Sequence, residues 1–471
     1  MTIAILGLRQ RHVLELGNVF ANKAGHFFVA DQSFVNRCNE NNLSARDIEF
    51  LQANGHVPVD NNLRSLSQKF QHEARSAKPD RLNYLILVPT LRCNLSCTYC
   101  QVSRVNEDRS GYDWTDEILD QVLSFISTID GPEIKVEFQG GEPTLRLDLI
   151  KSVIDACRRF ERAEFIICTN LASLGAEFVA LLSDKRVHIS TSLDGNRLVH
   201  EKQRTSKSQY TEQFFENLRC VIDIIGAERV SALPTIDQSN PPSPQDLIDA
   251  YTTHGFNQLF LRPINYQGFA RKRHPASKSD HNQWWEYYDG FIEALIQRNF
   301  ADQAVILEET YLSLCLKRIF RIGVDGHVDL RNPNPVGIDY IVIDHDGALY
   351  PTDEARMLTR SGVVDLKIGA VGEGIDETLK QVFNANVSND GDPQCAACIY
   401  QPFCGRDVID DLSRYGRIDL PRHETFFCQK HLRLFDLCMR LIYSDDPAVQ
   451  YSLAKWLGLA GASLPCQPRA L

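Results

Sequence analysis

Residues 87–104 read LVPTLRCNLSCTYCQVSR. Cys93, Cys97 and Cys100 fall within eight positions, with three and then two residues between them and Tyr99 just before the last. Gln101, Val102 and Ser103 follow, with no further Cys or His close behind. A structural zinc site takes four protein ligands, and a simple electron-carrying 4Fe–4S cluster takes four thiolates. Three thiolates leave one metal position open, and an open position is what makes a metal site reactive. A zinc knuckle that borrows a distant fourth ligand competes on spacing alone.

The run begins on an apolar stretch, YLILV (84–88), that reads as a strand. Similar stretches recur at IKVEF (134–138), EFIICT (164–169), VHISTSL (187–193), RVSAL (229–233) and LFLRPI (259–264). Between them, TDEILDQVLSFIST (115–128), RLDLIKSVIDACRRF (146–160) and TEQFFENLRCVIDII (211–225) carry apolar residues at helical spacing. Six such repeats predict a parallel sheet with right-handed crossovers, open or curled into a partial barrel. Ligands of these sheets bind beyond the carboxyl ends of the strands. The polar and glycine-rich loops gather there: the cysteine loop, QGGEPT (139–144), TN (169–170), SLDG (192–195) and RPINYQG (262–268). That edge is the predicted active site.

The 471 residues exceed one ordinary core, so several domains are expected. Hydrophobic residues make up 43% and charged residues 24%, a globular composition. No segment approaches the ~18–20 uncharged apolar residues of a membrane span. The start, MTIAILGLRQRHVLELG, lacks the basic region and cleavage site of a signal peptide. A cytoplasmic, membrane-free location is therefore expected. A net charge of −11 argues against a nucleic-acid partner, which demands a basic face. Fourteen cysteines in a reducing compartment point to metal ligation where they cluster. Cys38, Cys157, Cys168, Cys220, Cys315, Cys438 and Cys466 are scattered and read as small buried hydrophobes.

The Cys-x3-Cys-x2-Cys spacing, with GGEP at Gly140–Pro143 one strand later, resembles the radical S-adenosylmethionine (radical SAM) family. The resemblance implies a partial (β/α)6 barrel whose 4Fe–4S cluster is held by Cys93, Cys97 and Cys100. The open iron would chelate the amino and carboxylate groups of SAM. One-electron cleavage would then release a 5′-deoxyadenosyl radical that takes hydrogen from the substrate. On the same ground Gly140, Gly141, Glu142 and Pro143 form the loop at the SAM amino group. The glycines admit the methionyl moiety, and Glu142 faces the ammonium. Tyr99 would lie beside the adenine, and Asn170, Ser192, Asp194 and Arg204 are the remaining candidate SAM contacts.

Cys395-x2-Cys398-x5-Cys404, then Cys428, supplies four more thiols. A zinc ribbon competes on spacing. Behind a radical SAM core, the set resembles the SPASM extension, whose full form has seven cysteines and two auxiliary 4Fe–4S clusters. The outer set is complete. Thr352 and Val408 stand at two inner-cluster positions, and RNPNPVG (331–337) offers no cysteine for a third. One auxiliary 4Fe–4S cluster is expected. Thr352, Asp353 and Glu354 occupy the vacated site, and Asp353 is the candidate catalytic acid or base.

The expected organisation begins with a small α+β, winged-helix-like module over 1–80, with a polar linker at 72–81. The barrel spans 82–275, a helical bridge 276–340, a SPASM-like domain 341–440 and a tail 441–471. YIVIDHDGALYP (340–351) reads as a hairpin around an Asp-Gly turn. The cysteine run, the N-terminal module and YPTDE in place of YPC resemble the HxsB-type maturases of His-Xaa-Ser peptide systems. This implies modification of a ribosomally made precursor peptide, with its leader at residues 1–80 and a side-chain cross-link as product. An external electron donor such as flavodoxin or ferredoxin, and a second maturase, are the other implied partners. Oxidation of Ser or Cys on a protein, as in anaerobic sulfatase maturation, is the rival enzyme reading. A non-enzymatic iron–sulfur or zinc scaffold is the rival of another class.

Overall fold

Every second residue of EIKVEFQG (133–140) is buried, namely Ile134, Val136, Phe138 and Gly140. Such alternation suits a strand whose one face packs on helices while the other lines a cavity. The structure, a computed structural model, describes residues 7–57, 62–75, 79–279, 282–321 and 327–470.

Strands β1 (Arg9–Val13), β2 (Gly17–Ala21) and β3 (Phe27–Ala30) open the chain. β4 (Tyr84–Thr90) leads into the cysteine loop, which holds the short ribbon β5 (Arg92–Cys93) and β6 (Val105–Asn106). β7 (Glu133–Gly140), β8 (Arg162–Cys168), β9 (Val187–Ser192) and β10 (Val230–Leu233) then pair in parallel, in the order β10-β9-β8-β7-β4. Helices Asp116–Ser127, Leu147–Ala156 and Ser208–Ile225 connect them, close to where periodicity places them.

The sixth strand departs from expectation. β11 is only Gln258–Leu259, and it pairs with β12 (Glu308–Glu309). Pro234 and Pro263 have no N–H to give a ladder. The segment still follows the barrel through an Ile236–Pro263 bridge, with Ile264 N donating to Ile236 O at 3.0 Å.

β13 (Tyr340–Ile343) and β14 (Ala348–Tyr350) form the anticipated hairpin, with Gly347 at φ +78° in its turn. Sequence placed this hairpin in a separate domain. Instead β13 pairs in parallel with β4, and β15 (Gly369–Ala370) and β16 (Gly374–Ile375) extend the same nine-stranded sheet. With a partner on each side, β4 is buried over Leu85–Thr90, as an interior parallel strand requires.

The N-terminal meander gains its fourth strand from the other end of the chain, since β17 (Arg469–Ala470) pairs with β3. Phe20, Phe28 and Ala30 on one face meet Phe34, Val35 and Leu51 of the module's own helices. Val19, Ala21, Phe27 and Val29 on the other face enter the central core beside Phe435 and Tyr443. A sheet apolar on both faces cannot stand apart, so the module is docked rather than tethered. The anticipated linker is correspondingly short: residues 72–75 end the helix Asn62–Arg75, and 76–78 lie outside the described residues. Arg75 is buried and donates to Ala24 O, Arg318 O and Ile319 O.

Glu309 ties the sixth segment to the helices that follow. Fully buried, it accepts from Leu261 N (3.0 Å), Leu312 N (2.6 Å) and Tyr288 Oη (2.8 Å). Burial pushes its carboxyl from 4.5 up to about 7. Between those values the folded state binds the proton that the unfolded state has released, so stability must fall as pH rises. Urea unfolding is expected to show a decline of about 3 kcal/mol between pH 5 and 8, each tenfold difference in proton affinity being worth about 1.4 kcal/mol. Glu309→Gln should flatten that slope; an unchanged slope would assign it elsewhere.

Candidate active site

The cysteine loop is held over the sheet by backbone contacts with the next loop. Gly141 N donates to Thr90 O at 3.0 Å and Glu142 N to Arg92 O at 2.8 Å. A Cβ on Gly140 would lie 2.2 Å from Thr90 O, and one on Gly141 2.2 Å from Arg92 O; Gly140 also sits at φ +131°. The glycines thus admit the cysteine loop's own backbone. Sequence assigned their small size to a ligand's methionyl group, and the structure gives it this second cause.

Glu142 is 2% exposed. Its Oε2 accepts from Asn170 N (2.8 Å), and its Oε1 from Thr144 Oγ1 (2.6 Å) and Thr144 N (3.3 Å). Burial raises its carboxyl, and these donors oppose that rise. The carboxylate offered by sequence to an ammonium group is therefore occupied by the chain. Pro143 opens the 3-10 turn that follows. At the next strand end, Asn170 Nδ2 donates to Asn94 Oδ1 (2.8 Å) and stands 3.8 Å from Cys93 Sγ.

Tyr99 Oη donates to Asp194 Oδ2 (2.6 Å) and accepts from Arg204 Nη1 (2.7 Å), while Asp194 Oδ1 takes Thr235 N (2.9 Å). All three side chains are buried. Asp194, predicted as a direct ligand contact, acts here through Tyr99. Arg204 comes from a π-helical turn, Glu201–Thr205, and its buried Nε has no partner.

Cys93, Cys97, Tyr99 and Cys100 line one cavity of about 510 Å³ together with Gly140, Gly141, Asn170, Ser192 and Arg204. Asp353 reaches the same wall. It opens the helix Asp353–Arg360, which Thr352 caps, and accepts from Arg356 Nε at 2.8 Å. Burial raises Asp353 and lifts Glu354 beside it to about 7.

Cys168 and Glu137 are wall residues that the sequence reading left out of the site, whereas Glu354, placed there beside Asp353, does reach the wall. Cys168, taken for a structural thiol, donates to Glu137 Oε1 at 3.2 Å. Glu137 also accepts from Tyr84 Oη and, at 2.7 Å, from Gln139 Nε2. The available signal was period two, which puts Glu137 and Gln139 opposite the buried Val136 and Phe138.

The four late cysteines line a second cavity of about 400 Å³. The N-terminal strand forms part of its wall through Gln10, Arg11 and His12. Arg9 donates to Cys398 O at 3.2 Å, and Arg11 binds Asp436 through two bonds of 2.7 and 2.6 Å. At the positions where inner-cluster thiols are missing, Thr352 caps a helix and Val408 is core.

Residues 87–237 match the model of the Radical SAM superfamily. The chain carries a Radical SAM domain and is an enzyme. A cysteine-type anaerobic sulfatase-maturating enzyme of Clostridium novyi (strain NT) is 23% identical over 345 residues, 69% of this chain and 86% of that protein. The PqqA peptide cyclase of Bradyrhizobium diazoefficiens is 42% identical over 69 residues, 15% of this chain and 17% of its own. Native anSMEcpe with bound AdoMet aligns at a TM-score of 0.58 and 17% identity, covering 76% of this chain and 96% of that one. Streptococcus suis SuiB bound to precursor peptide SuiA aligns at 0.53 and 14%, covering 90% and 99%. These likenesses support the radical SAM barrel fold.

Radical SAM enzymes use a 4Fe–4S cluster and SAM, and the residues present fit both. The early thiols share one wall, and Cys168 is turned to Glu137 instead of completing a fourth corner. Among the described residues, no three cysteine sulfurs lie within 4.8 Å of one another. Zinc bonds of ~2.3 Å would draw thiolates closer than that, whereas a cube ligated at separate corners needs wider spacing. Arg204 Nε offers a free donor to an acceptor-rich ligand.

Gly141→Ala is expected to reduce iron retained after anaerobic reconstitution to background, because its Cβ meets the cysteine loop. Gly175→Ala, with open space around its Cβ, should retain iron at the parent level. Tyr99→Phe should lower stability in urea unfolding by about 1.5–3 kcal/mol, since its hydroxyl bonds the charged Asp194 and Arg204.

Proposed function

We propose that this radical SAM enzyme modifies a ribosomally made precursor peptide by abstracting hydrogen from a side-chain carbon, with cross-linking as the outcome. The observation that carries the reading is the cavity itself. It runs from three thiols to a polar wall at Asp353 and Glu354, where a capped helix stands in place of an inner cluster. The likeness to a structure of SuiB with its precursor peptide and the short match to a peptide cyclase support a peptide substrate. The cysteine run and YPTDE support a place near the HxsB-type maturases.

In this reading Cys93, Cys97 and Cys100 hold the SAM-binding cluster, and Cys395, Cys398, Cys404 and Cys428 hold one auxiliary 4Fe–4S cluster. When bound, cluster and SAM together supply a 5′-deoxyadenosyl radical. The chain's own work is positional: Tyr99, Asp194 and Arg204 shape one wall, Ser192 and Asn170 the next, and Asp353 is the proton acceptor. The auxiliary site suits electron removal from the substrate, with flavodoxin or ferredoxin as external donor and a second maturase as a further partner. A leader docking on the N-terminal sheet by strand addition would use β1, because β17 covers the outer edge of β3. The free state of all fourteen cysteines suits a reducing cytoplasm.

Anaerobically reconstituted enzyme with SAM, reductant and the precursor peptide encoded beside it should release 5′-deoxyadenosine. Cys93→Ala should abolish that release. About eight irons per chain are expected, where two auxiliary cubes would require about twelve. Absence of 5′-deoxyadenosine sinks the proposal. The match to a sulfatase-maturating enzyme over most of its length favours the second reading, oxidation of Ser or Cys. Product mass separates them, a cross-linked residue pair having lost two hydrogens against a formylglycine.

A further inference from the structure

A third cavity, of about 320 Å³, adjoins the active-site cavity and shares Gln101, Thr235, Arg262, Val328 and Glu354 with it. Its wall is both aromatic and acidic, with Trp284, Trp285 and Tyr311 facing Asp329, Asp407 and Asp410. Most charges along the joined space are already paired. Asp410 binds Arg414 (2.8 Å), Asp329 faces Lys430 (3.6 Å), Asp353 binds Arg356 (2.8 Å), Asp339 binds Arg331 (2.6 Å) and Asp194 lies with Arg204 behind Tyr99. Glu137, Glu354 and Asp407 remain, opposed by Arg262 on the shared wall and by the half-buried Arg104 on the active-site cavity. Glu137 and Asp407 have only neutral donors: Glu137 takes Tyr84, Gln139 and Cys168, and Asp407 caps a helix through Ile409 N and Asp410 N.

A second, independent observation points to a missing donor. Gln267 is 2% exposed, lines the acidic cavity, and its acceptor Oε1 has no partner. A metal ion does not suit this wall, because no three carboxylate oxygens of these residues lie within 4.8 Å of one another. An organic cation does: its charge meets carboxylates and its stem meets rings, which attract cations through their faces. The chain already uses that arrangement once here, with Lys430 Nζ 4.3 Å from the centre of the Tyr311 ring and beside Asp329.

We propose that the joined cavities receive a positively charged side chain of the substrate peptide, a lysine or arginine, held by Glu354, Asp407 and Gln267 Oε1. This rests on the radical peptide-modifying reading and specifies its substrate class. The probes are the Nα-acetyl, N-methylamide derivatives of lysine, arginine, norleucine and glutamate, titrated calorimetrically into reconstituted, SAM-loaded enzyme. Lysine and arginine derivatives should bind at least tenfold more tightly than the neutral and acidic ones. Glu354→Gln and Asp407→Asn should each erase most of that preference. Gln267→Leu, which keeps every carboxylate, should weaken the cationic probes severalfold and leave norleucine unchanged. Equal binding of the four probes overturns the inference, as does a preference that survives both carboxylate variants. 5′-Deoxyadenosine release is measured on the same preparations. Release without a cation preference refutes this inference alone; a preference without release refutes the radical reading and leaves the cation pocket standing.

Discussion

A carboxylate buried where three loops meet holds the catalytic end of this barrel together. Glu142 takes the N–H of Asn170 from one loop and the N–H and hydroxyl of Thr144 from its own, while its backbone N–H reaches Arg92 O in the cysteine loop. Burying a charged carboxylate is costly unless donors surround it, and here every donor comes from an element that must be placed. Each hydrogen bond that makes the burial tolerable also fixes one loop against another. The glycines beside it have no Cβ, so the backbones can close to hydrogen-bonding distance.

The result is a loop that presents three thiols on one wall of the cavity. Asn170, which receives the carboxylate on its N–H, reaches with its side chain to Asn94 and towards Cys93. Support for the thiols and support for the wall opposite them are thus the same set of contacts. Tyr99, Asp194 and Arg204 form a comparable unit on the far side, and the arginine keeps one donor for the space between.

The carboxyl-terminal half is joined to the barrel more closely than a separate domain would be. Its hairpin continues the barrel sheet at β4, which places Asp353 and Glu354 at the cavity instead of on an outlying loop. The N-terminal strand, in turn, walls the late cysteines. Residues from both ends of the sequence thus contribute to the walls of the two thiol-lined cavities.

Local pattern was enough to place five parallel strands, their helices, the hairpin and the three-thiol loop, because period two, period 3.6 and ligand spacing are all short-range properties. The same period, applied to EIKVEFQG, already put Glu137 on the cavity face. What the linear chain could not contain was which distant segments share an edge or a wall. Pairing of β13 with β4, capture of β17 by β3, the turning of Cys168 towards Glu137 and the meeting of Glu354 with Asp407 and Gln267 across one space depend on contacts between residues far apart in sequence. Those pairings follow from which apolar faces need covering once the barrel has formed, and only the folded whole decides that.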